Sequence, residues 1–213
     1  MRNEKTPIAV EGYPFIAIAA IVTALFFFFT LKVPAVIGLA LTLFCVYFFR
    51  NPERITPDVE RAVVAPADGR IIYLGHVHEE IFDAEMVKIS IFMSVFNVHV
   101  NRAPVSGRVT DIRYIKGKFL DVRDERATFE NEQSCMLVES DEGAKIKVVQ
   151  VAGLIARRIV CYPGIGDRLV RGKRYGLIRF GSRLDVYLPK GTELRVTMGD
   201  KTVAGETILG ILP

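Results

Sequence analysis

The chain has 213 residues, half of them apolar, and a formal net charge of +4. This length suggests one globular domain with an additional N-terminal segment. The basic residues are scattered among acidic ones and do not form a dense patch with interleaved aromatic residues, which argues against a nucleic-acid-binding protein. Because the N-terminus is apolar, the positive charge favours attraction to an anionic lipid surface.

Two apolar segments are the first predicted elements. Residues 12–31 and 33–49 contain no Asp, Glu, Lys or Arg, and only Lys32 separates them. Each segment is about as long as a helix must be to cross a ~30 Å hydrocarbon core, and Pro34 suits the first turn of the second helix. We therefore predict a helical membrane hairpin over residues 1–50.

Basic residues at both outer ends of the hairpin predict its orientation in the cell membrane. They are Arg2 and Lys5 before the first helix and Arg50 and Arg54 after the second. The positive-inside rule places both ends, and hence the rest of the chain, on the cytoplasmic side. A re-entrant hairpin that embeds in the membrane without crossing it is the alternative interpretation.

A β-rich domain is predicted over residues 61–213, after a polar linker at residues 51–60. Short apolar runs there are punctuated by glycine and proline, as in strands joined by tight turns. The pattern Ala-Pro-x-x-Gly-Arg-apolar occurs at residues 65–71 and 103–109, and such repeated turn–strand units suit a compact barrel. Residues 119–134 are a predicted helical or irregular insert. The predicted fold class is mainly β (α+β), a β-barrel or barrel-sandwich-like domain preceded by the N-terminal helical hairpin.

The cysteines and two of the three histidines lack the spacing of a metal site. Cys45, Cys135 and Cys161 are far apart in the sequence and predict reduced, structural thiols. His76 and His78 share one face of a predicted strand, but no third ligand is apparent, so an exposed strand end is favoured. No metal is predicted.

Four residues are candidates for chemistry. Gly181-Ser182 begins an alternating apolar and polar segment. A serine hydroxyl can attack the carbonyl of a preceding glycine, which adds no side chain to hinder the approach; the alternative is a tight turn that enters a strand. Asp68 either bonds its own turn or is a buried carboxylate that orients a histidine. His99, flanked by polar and basic residues, is a candidate for the floor of a polar site.

Five motifs, in order along the chain, resemble the short-chain phosphatidylserine decarboxylases. They are FFRNPER at residues 48–54, APADG at 65–69, FNVHVNR at 96–102, AGLIARRIV at 152–160 and FGSR at 180–183. Longer members of the family have a second histidine where this chain has Phe96, and a threonine where it has Arg183. Both departures resemble the short-chain branch, and the similarity covers essentially the whole chain.

The resemblance implies that the chain cuts itself between Gly181 and Ser182. Ser182, activated by His99 with Asp68 as the partner of the histidine, would attack the Gly181 carbonyl and become a pyruvoyl group. No other cofactor is implied.

The same resemblance implies two product chains and a lipid substrate. The large subunit would be residues 1–181 and the small one residues 182–213, with a homo-oligomer of this pair left open. The pyruvoyl group would form a Schiff base with the amine of membrane phosphatidylserine and accept electrons as carbon dioxide leaves. The product would be phosphatidylethanolamine, in phospholipid biosynthesis. The candidate ligands for the lipid phosphate are Arg102, Arg157 and Arg158.

Three other functions compete with this interpretation. An archaetidylserine decarboxylase would act on the same head group attached to ether chains. A non-enzymatic, membrane-anchored barrel-sandwich adaptor would explain the hairpin and the β pattern, but not the match of Asp68, His99 and Ser182 to one family. A membrane serine hydrolase is disfavoured because the serine lacks a surrounding G-x-S-x-G motif.

Overall fold

The computed structural model describes residues 6–124, 126–154, 158–179 and 181–213. Contacts between Cα atoms divide the chain into two compact units, Met1–Glu53 and Arg54–Pro213.

The first unit is a helical hairpin. A 3₁₀ turn, Val10–Gly12, leads into α1, Tyr13–Phe28, and α2 follows at Lys32–Phe48. The 19-residue helical stretch from Val10 to Phe28 is long and apolar enough to cross a membrane, and α2 is a shorter apolar helix of 17 residues. The predicted helical hairpin is therefore present in the structure.

Two threonines link the helices of this hairpin. Thr23 Oγ1 lies 3.2 Å from Thr42 Oγ1, while each hydroxyl is also bonded to a carbonyl one turn earlier in its own helix, that of Ala19 or Gly38. A Cβ at Gly38 would lie 2.6 Å from Thr23 Oγ1, so the glycine permits the close approach. In an apolar environment these bonds keep the polar groups satisfied.

The regular structure described in the second unit consists almost entirely of antiparallel strands. They are β1 Ala62–Val64, β2 Gly69–Glu79, β3 Ala84–Met93, β4 Val100–Arg102, β5 Gly107–Ile115, β6 Gln133–Ser140, β7 Lys145–Ala152, β8 Ile159–Cys161, β9 Arg168–Leu169, β10 Arg174–Ile178, β11 Ser182–Pro189, β12 Glu193–Leu194, β13 Lys201–Thr202 and β14 Ile208–Ile211. A four-residue helix, α3 Ala127–Glu130, precedes β6. The mainly β fold class is confirmed.

Eight strands form one curled sheet in the order β13-β2-β3-β11-β7-β6-β5-β9, and two three-stranded sheets have the orders β1-β14-β12 and β4-β10-β8. β11 lies inside the large sheet, paired with β3 on one side and β7 on the other. Both faces of β11 are covered. Leu184, Val186 and Leu188 pack in the main core, and Tyr187 packs in a second cluster on the opposite face.

The insert predicted at residues 119–134 is mostly irregular, with α3 as its helical part, and the first residues of β6 end it. Cys135 is buried in the second cluster, and Cys161 packs against the main core. Burial raises the pKa of both thiols to about 11, which keeps them neutral at physiological pH.

Candidate active site

Ser182 is the first residue of the internal strand β11, at the end of the sheet where β3 and β7 finish. It pairs with Met93 of β3 and Ala152 of β7. Its relative exposure is 0%, and among the described residues its Oγ has no hydrogen-bond partner. A buried hydroxyl without a partner costs about 1–3 kcal/mol. Such a group needs an explanation, and a reactive role is one.

Gly181, the residue before it, has a φ of +62°. This left-handed backbone suits glycine and is strained for residues with a Cβ. The turn therefore presents the Gly181–Ser182 peptide bond at the entrance to a rigid strand. Both alternatives considered for this dipeptide, a tight turn and a reactive serine, are compatible with this geometry.

His99 lies beside Gly181 because β4 and β10 bring the two residues together. β4 begins directly after His99, and β10 ends three residues before Gly181; these two strands pair antiparallel, with Leu177 opposite Val100. The ring is only 2% exposed. Nε2 of His99 lies 3.4 Å from the amide nitrogen of Gly181, which donates to it.

Two contacts of the His99 ring indicate its tautomer. Nδ1 lies 3.0 Å from the carbonyl oxygen of Asn97, which can only accept, so Nδ1 carries the proton. Nε2 is then the unprotonated nitrogen, and it accepts the Gly181 N–H. The imidazole is thus neutral, and it contacts the residue before Ser182, whose hydroxyl has no partner among the described residues.

Asp68 lies just before β2, at the same end of the sheet. One carboxylate oxygen is 3.0 Å from Arg54 Nη2, and the other accepts the amide of Ala204 at 2.8 Å. In the part of the chain that the structure describes, a backbone carbonyl therefore orients His99, and Arg54 and Ala204 hold Asp68. The predicted role of Asp68 as the partner of His99 stays a prediction.

Gly153 gives the Gly181 carbonyl the space it occupies. A Cβ built on Gly153 would lie 2.3 Å from that carbonyl oxygen and 3.2 Å from its carbon. Gly153 falls inside a motif that the sequence singled out, but only the close approach of a second backbone segment reveals its purpose.

Gly153→Ala is expected to slow any reaction at the Gly181–Ser182 bond by up to about 100-fold, because the carbonyl must move by a large fraction of an ångström. The rate at which the intact chain disappears after synthesis measures this. The matched control is Gly164→Ala, where a Cβ would meet only Asp167 Oδ2 at 3.8 Å. Equal rates for the two variants would contradict the steric argument.

A cavity of about 150 Å³ opens next to the Gly181 backbone. Its lining combines apolar residues with a pair of opposite charges: Phe92, Asp121, Val122, Arg123, Gly153, Leu154 and Gly181. Hydrogen bonds from Arg123 lower the pKa of the Asp121 carboxyl to about 2, so it is ionised at neutral pH. This charged rim was not predicted from the sequence, since nothing in residues 121–123 alone relates them to a serine sixty residues later.

The three arginines predicted to bind phosphate have different positions. Arg102 is buried, and its Nη1 donates to the Gly172 carbonyl at 2.7 Å. Arg158 is exposed, and Arg157 lies outside the described residues. Of the residues that the structure describes, neither Arg102 nor Arg158 lines the cavity beside Gly181. Their role in phosphate binding stays a prediction.

Within residues 6–124, 126–154, 158–179 and 181–213, no group of three or more His, Cys, Asp or Glu side chains is arranged to hold a metal ion. His78 instead lies 3.3 Å from Asp83 at an exposed strand end.

Comparisons with known proteins point to one family. A family model described as phosphatidylserine decarboxylase matches residues 41–210. The chain is 70% identical over 213 residues to the phosphatidylserine decarboxylase proenzyme of Geotalea uraniireducens, and the match covers 100% of both chains. It is 66% identical over 218 residues to the proenzyme of Geobacter sulfurreducens and 53% identical over 213 residues to that of Syntrophotalea carbinolica, again over 100% of each.

Proposed function

Because the chain belongs to the phosphatidylserine decarboxylase family, we propose that it converts phosphatidylserine to phosphatidylethanolamine after making a pyruvoyl group from its own Ser182. Two observations carry this proposal: Ser182 Oγ is buried with no hydrogen-bond partner among the described residues, and His99 Nε2 lies 3.4 Å from the amide nitrogen of Gly181, the residue before it. Relatives named for phosphatidylserine favour that lipid over archaetidylserine as the substrate.

Self-cleavage begins with Ser182 Oγ. As His99 Nε2 takes its proton, the oxygen attacks the Gly181 carbonyl carbon, and the peptide C–N bond breaks to give an ester and a free amine. Loss of the Ser182 α-proton then expels the Gly181 carboxylate and leaves dehydroalanine. Water hydrolyses this product, releasing ammonia and leaving a ketone at residue 182.

The residues around Ser182 fit a small ketone group. The position is enclosed, the strand that holds it is fixed on both sides by β3 and β7, and the adjoining cavity gives access at Gly181. When formed, a pyruvoyl carbonyl at residue 182 supplies an electron sink for decarboxylation. His99 Nε2 lies 3.4 Å from the amide nitrogen of Gly181, which supports a second role in returning a proton to the product.

The charged rim of the cavity suits the head group of the lipid. Phosphatidylserine carries an ammonium, a carboxylate and a phosphate, and Asp121 and Arg123 offer one charge of each sign beside Gly181. The apolar hairpin and the lipid would share one membrane, with the second unit on the cytoplasmic side. Protease protection in sealed vesicles tests that orientation.

Intact-mass analysis of the purified chain tests the proposed function. We expect two chains, 1–181 and 182–213, the smaller with an N-terminal ketone that reacts with an alkoxyamine probe. The same preparation should release carbon dioxide from phosphatidylserine in mixed micelles. A single full-length chain from a preparation that decarboxylates would overturn the mechanism, and labelling of an uncut chain by a serine-directed probe would favour a hydrolase.

A further inference from the structure

Arg183 follows the proposed cleavage site directly and faces the side of the sheet opposite Ser182, because side chains alternate along a strand. It is 4% exposed. Its guanidinium forms a fork with Asp185, itself 1% exposed, at 2.8 Å from Nε to Oδ1 and 3.0 Å from Nη2 to Oδ2. Such bidentate pairs fix the orientation of the arginine.

The remaining donors of Arg183 reach a different part of the chain. Nη1 donates to the carbonyl oxygen of Val122 at 2.7 Å, and Nη2 donates to Thr128 Oγ1 at 2.8 Å. Residues 119–124, which we call the cap segment, contain Asp121, Val122 and Arg123 of the cavity lining. Arg183 therefore connects the strand that begins at the cleavage site to the segment that forms the charged rim.

A second buried side chain holds the other end of the cap segment. Asn131 accepts the amide of Leu120 at 2.9 Å and donates to the carbonyls of Leu120 and Ala152, at 2.9 and 2.8 Å. Ala152 is the strand partner of Ser182. The cap segment, otherwise without regular structure, is thus tied on both sides to residues that adjoin the scissile bond.

The charges buried here are poorly explained by stability alone. Lys88 Nζ also lies 3.4 Å from Asp185, so this carboxylate pairs with both Arg183 and Lys88. Burial lowers the pKa of Lys88, and Asp185 partly opposes this. Burying such a group of ions is often no more stabilising than burying apolar side chains of the same volume. Unlike an apolar side chain, Arg183 can donate hydrogen bonds to the Val122 carbonyl and to Thr128.

We propose that Arg183 is a positioning residue that fixes the cap segment, so that Asp121 and Arg123 meet the charged head group of the substrate. This inference rests on the proposed function, since it assigns the cavity beside residue 182 to the phosphatidylserine head group. After cleavage, Arg183 belongs to the small chain and the cap segment to the large one, and their hydrogen bonds keep the rim aligned with residue 182.

Arg183→Lys in the full-length chain is the first test, because lysine keeps the charge but cannot make the fork and both outer bonds. We expect self-cleavage to reach completion, the KM for phosphatidylserine in mixed micelles to rise about 10- to 100-fold, and kcat to change much less. The matched control is Arg168→Lys, which alters an exposed ion pair with Asp141. An unchanged KM in cleaved Arg183→Lys would overturn the proposal.

Thr128 provides a milder variant in case Arg183→Lys does not fold. Thr128→Val removes one acceptor of Arg183 and should raise KM several-fold, whereas Thr128→Ser keeps the hydroxyl and should restore it. If Thr128→Val has the same KM as Thr128→Ser, the cap segment is not held as proposed.

The rate of digestion by trypsin tests the role of Arg183 independently of the proposed function. In an uncut Ser182→Ala background, Arg183→Lys should speed cleavage after Arg123 at least tenfold, because the cap segment opens more often. Unchanged cleavage would contradict the positioning role even though the background is inactive. A wild-type chain that never divides into two would instead contradict the proposed function and leave the trypsin result standing.

Discussion

Ser182→Ala is expected to leave a single uncut chain with no decarboxylase activity. Alanine has no oxygen to attack the Gly181 carbonyl, and without that step no ketone forms at residue 182. Intact mass and carbon dioxide release from phosphatidylserine measure the two losses. Because Ser182 Oγ is buried and unbonded in the described structure, its removal should also raise the free energy of unfolding by about 1 kcal/mol.

This gain in stability distinguishes loss of chemistry from loss of fold. A variant that is inactive because it misfolds would melt at a lower temperature than the uncut wild-type precursor, whereas Ser182→Ala should melt at a higher temperature. Ser182→Cys is the matched comparison, since a thiol is also a nucleophile and should restore some cleavage. Cleavage of the alanine variant at the same bond would refute the role assigned to Ser182.

His99→Gln is expected to slow self-cleavage by about 10²- to 10⁴-fold, the usual contribution of a positioned base. Glutamine can still bond the Asn97 carbonyl, but its amide cannot take a proton at neutral pH. Pulse-chase measurement of the precursor gives the rate. Whatever fraction does mature should also decarboxylate slowly if the same nitrogen returns a proton to the product.

His76→Gln is the control for this histidine, because His76 is exposed on β2 and is remote in sequence from the cleavage motif. It should mature at the wild-type rate. If His99→Gln matures as fast as His76→Gln, another group takes the proton from Ser182, and Asp68 becomes the first candidate to examine.

Much of this architecture could be predicted from local patterns. The helical hairpin follows from two segments without charge around a single lysine, and the β domain follows from apolar runs between glycines and prolines. Ser182 and His99 could be singled out because their neighbours in sequence match one family. Their juxtaposition in the structure depends on the pairing of β4 with β10, which brings together residues about eighty positions apart.

The parts of the site that the sequence did not predict depend on contacts between distant segments. In the sequence, Gly153 resembles any glycine at the end of a strand. Only the structure shows that the Gly181 carbonyl lies where a Cβ would be. In the sequence, Arg183 stands out only as a departure from the threonine of longer family members, because its partners Val122 and Thr128 lie in an insert with no clear pattern. Arg102 has the side chain expected of a phosphate ligand, yet its guanidinium donates to the buried backbone carbonyl of Gly172.

The internal position of β11 has a consequence for how the protein would refold after denaturation. The proposed cut before its first residue would leave the ladders with β3 and β7 in place, so we expect the fold to persist after the chain is divided. Once denatured, a mature protein of two chains would have to refold by association of separate polypeptides, at a rate that depends on concentration. The uncut Ser182→Ala variant would refold as one molecule, at a rate independent of concentration, so refolding after dilution would distinguish the two forms.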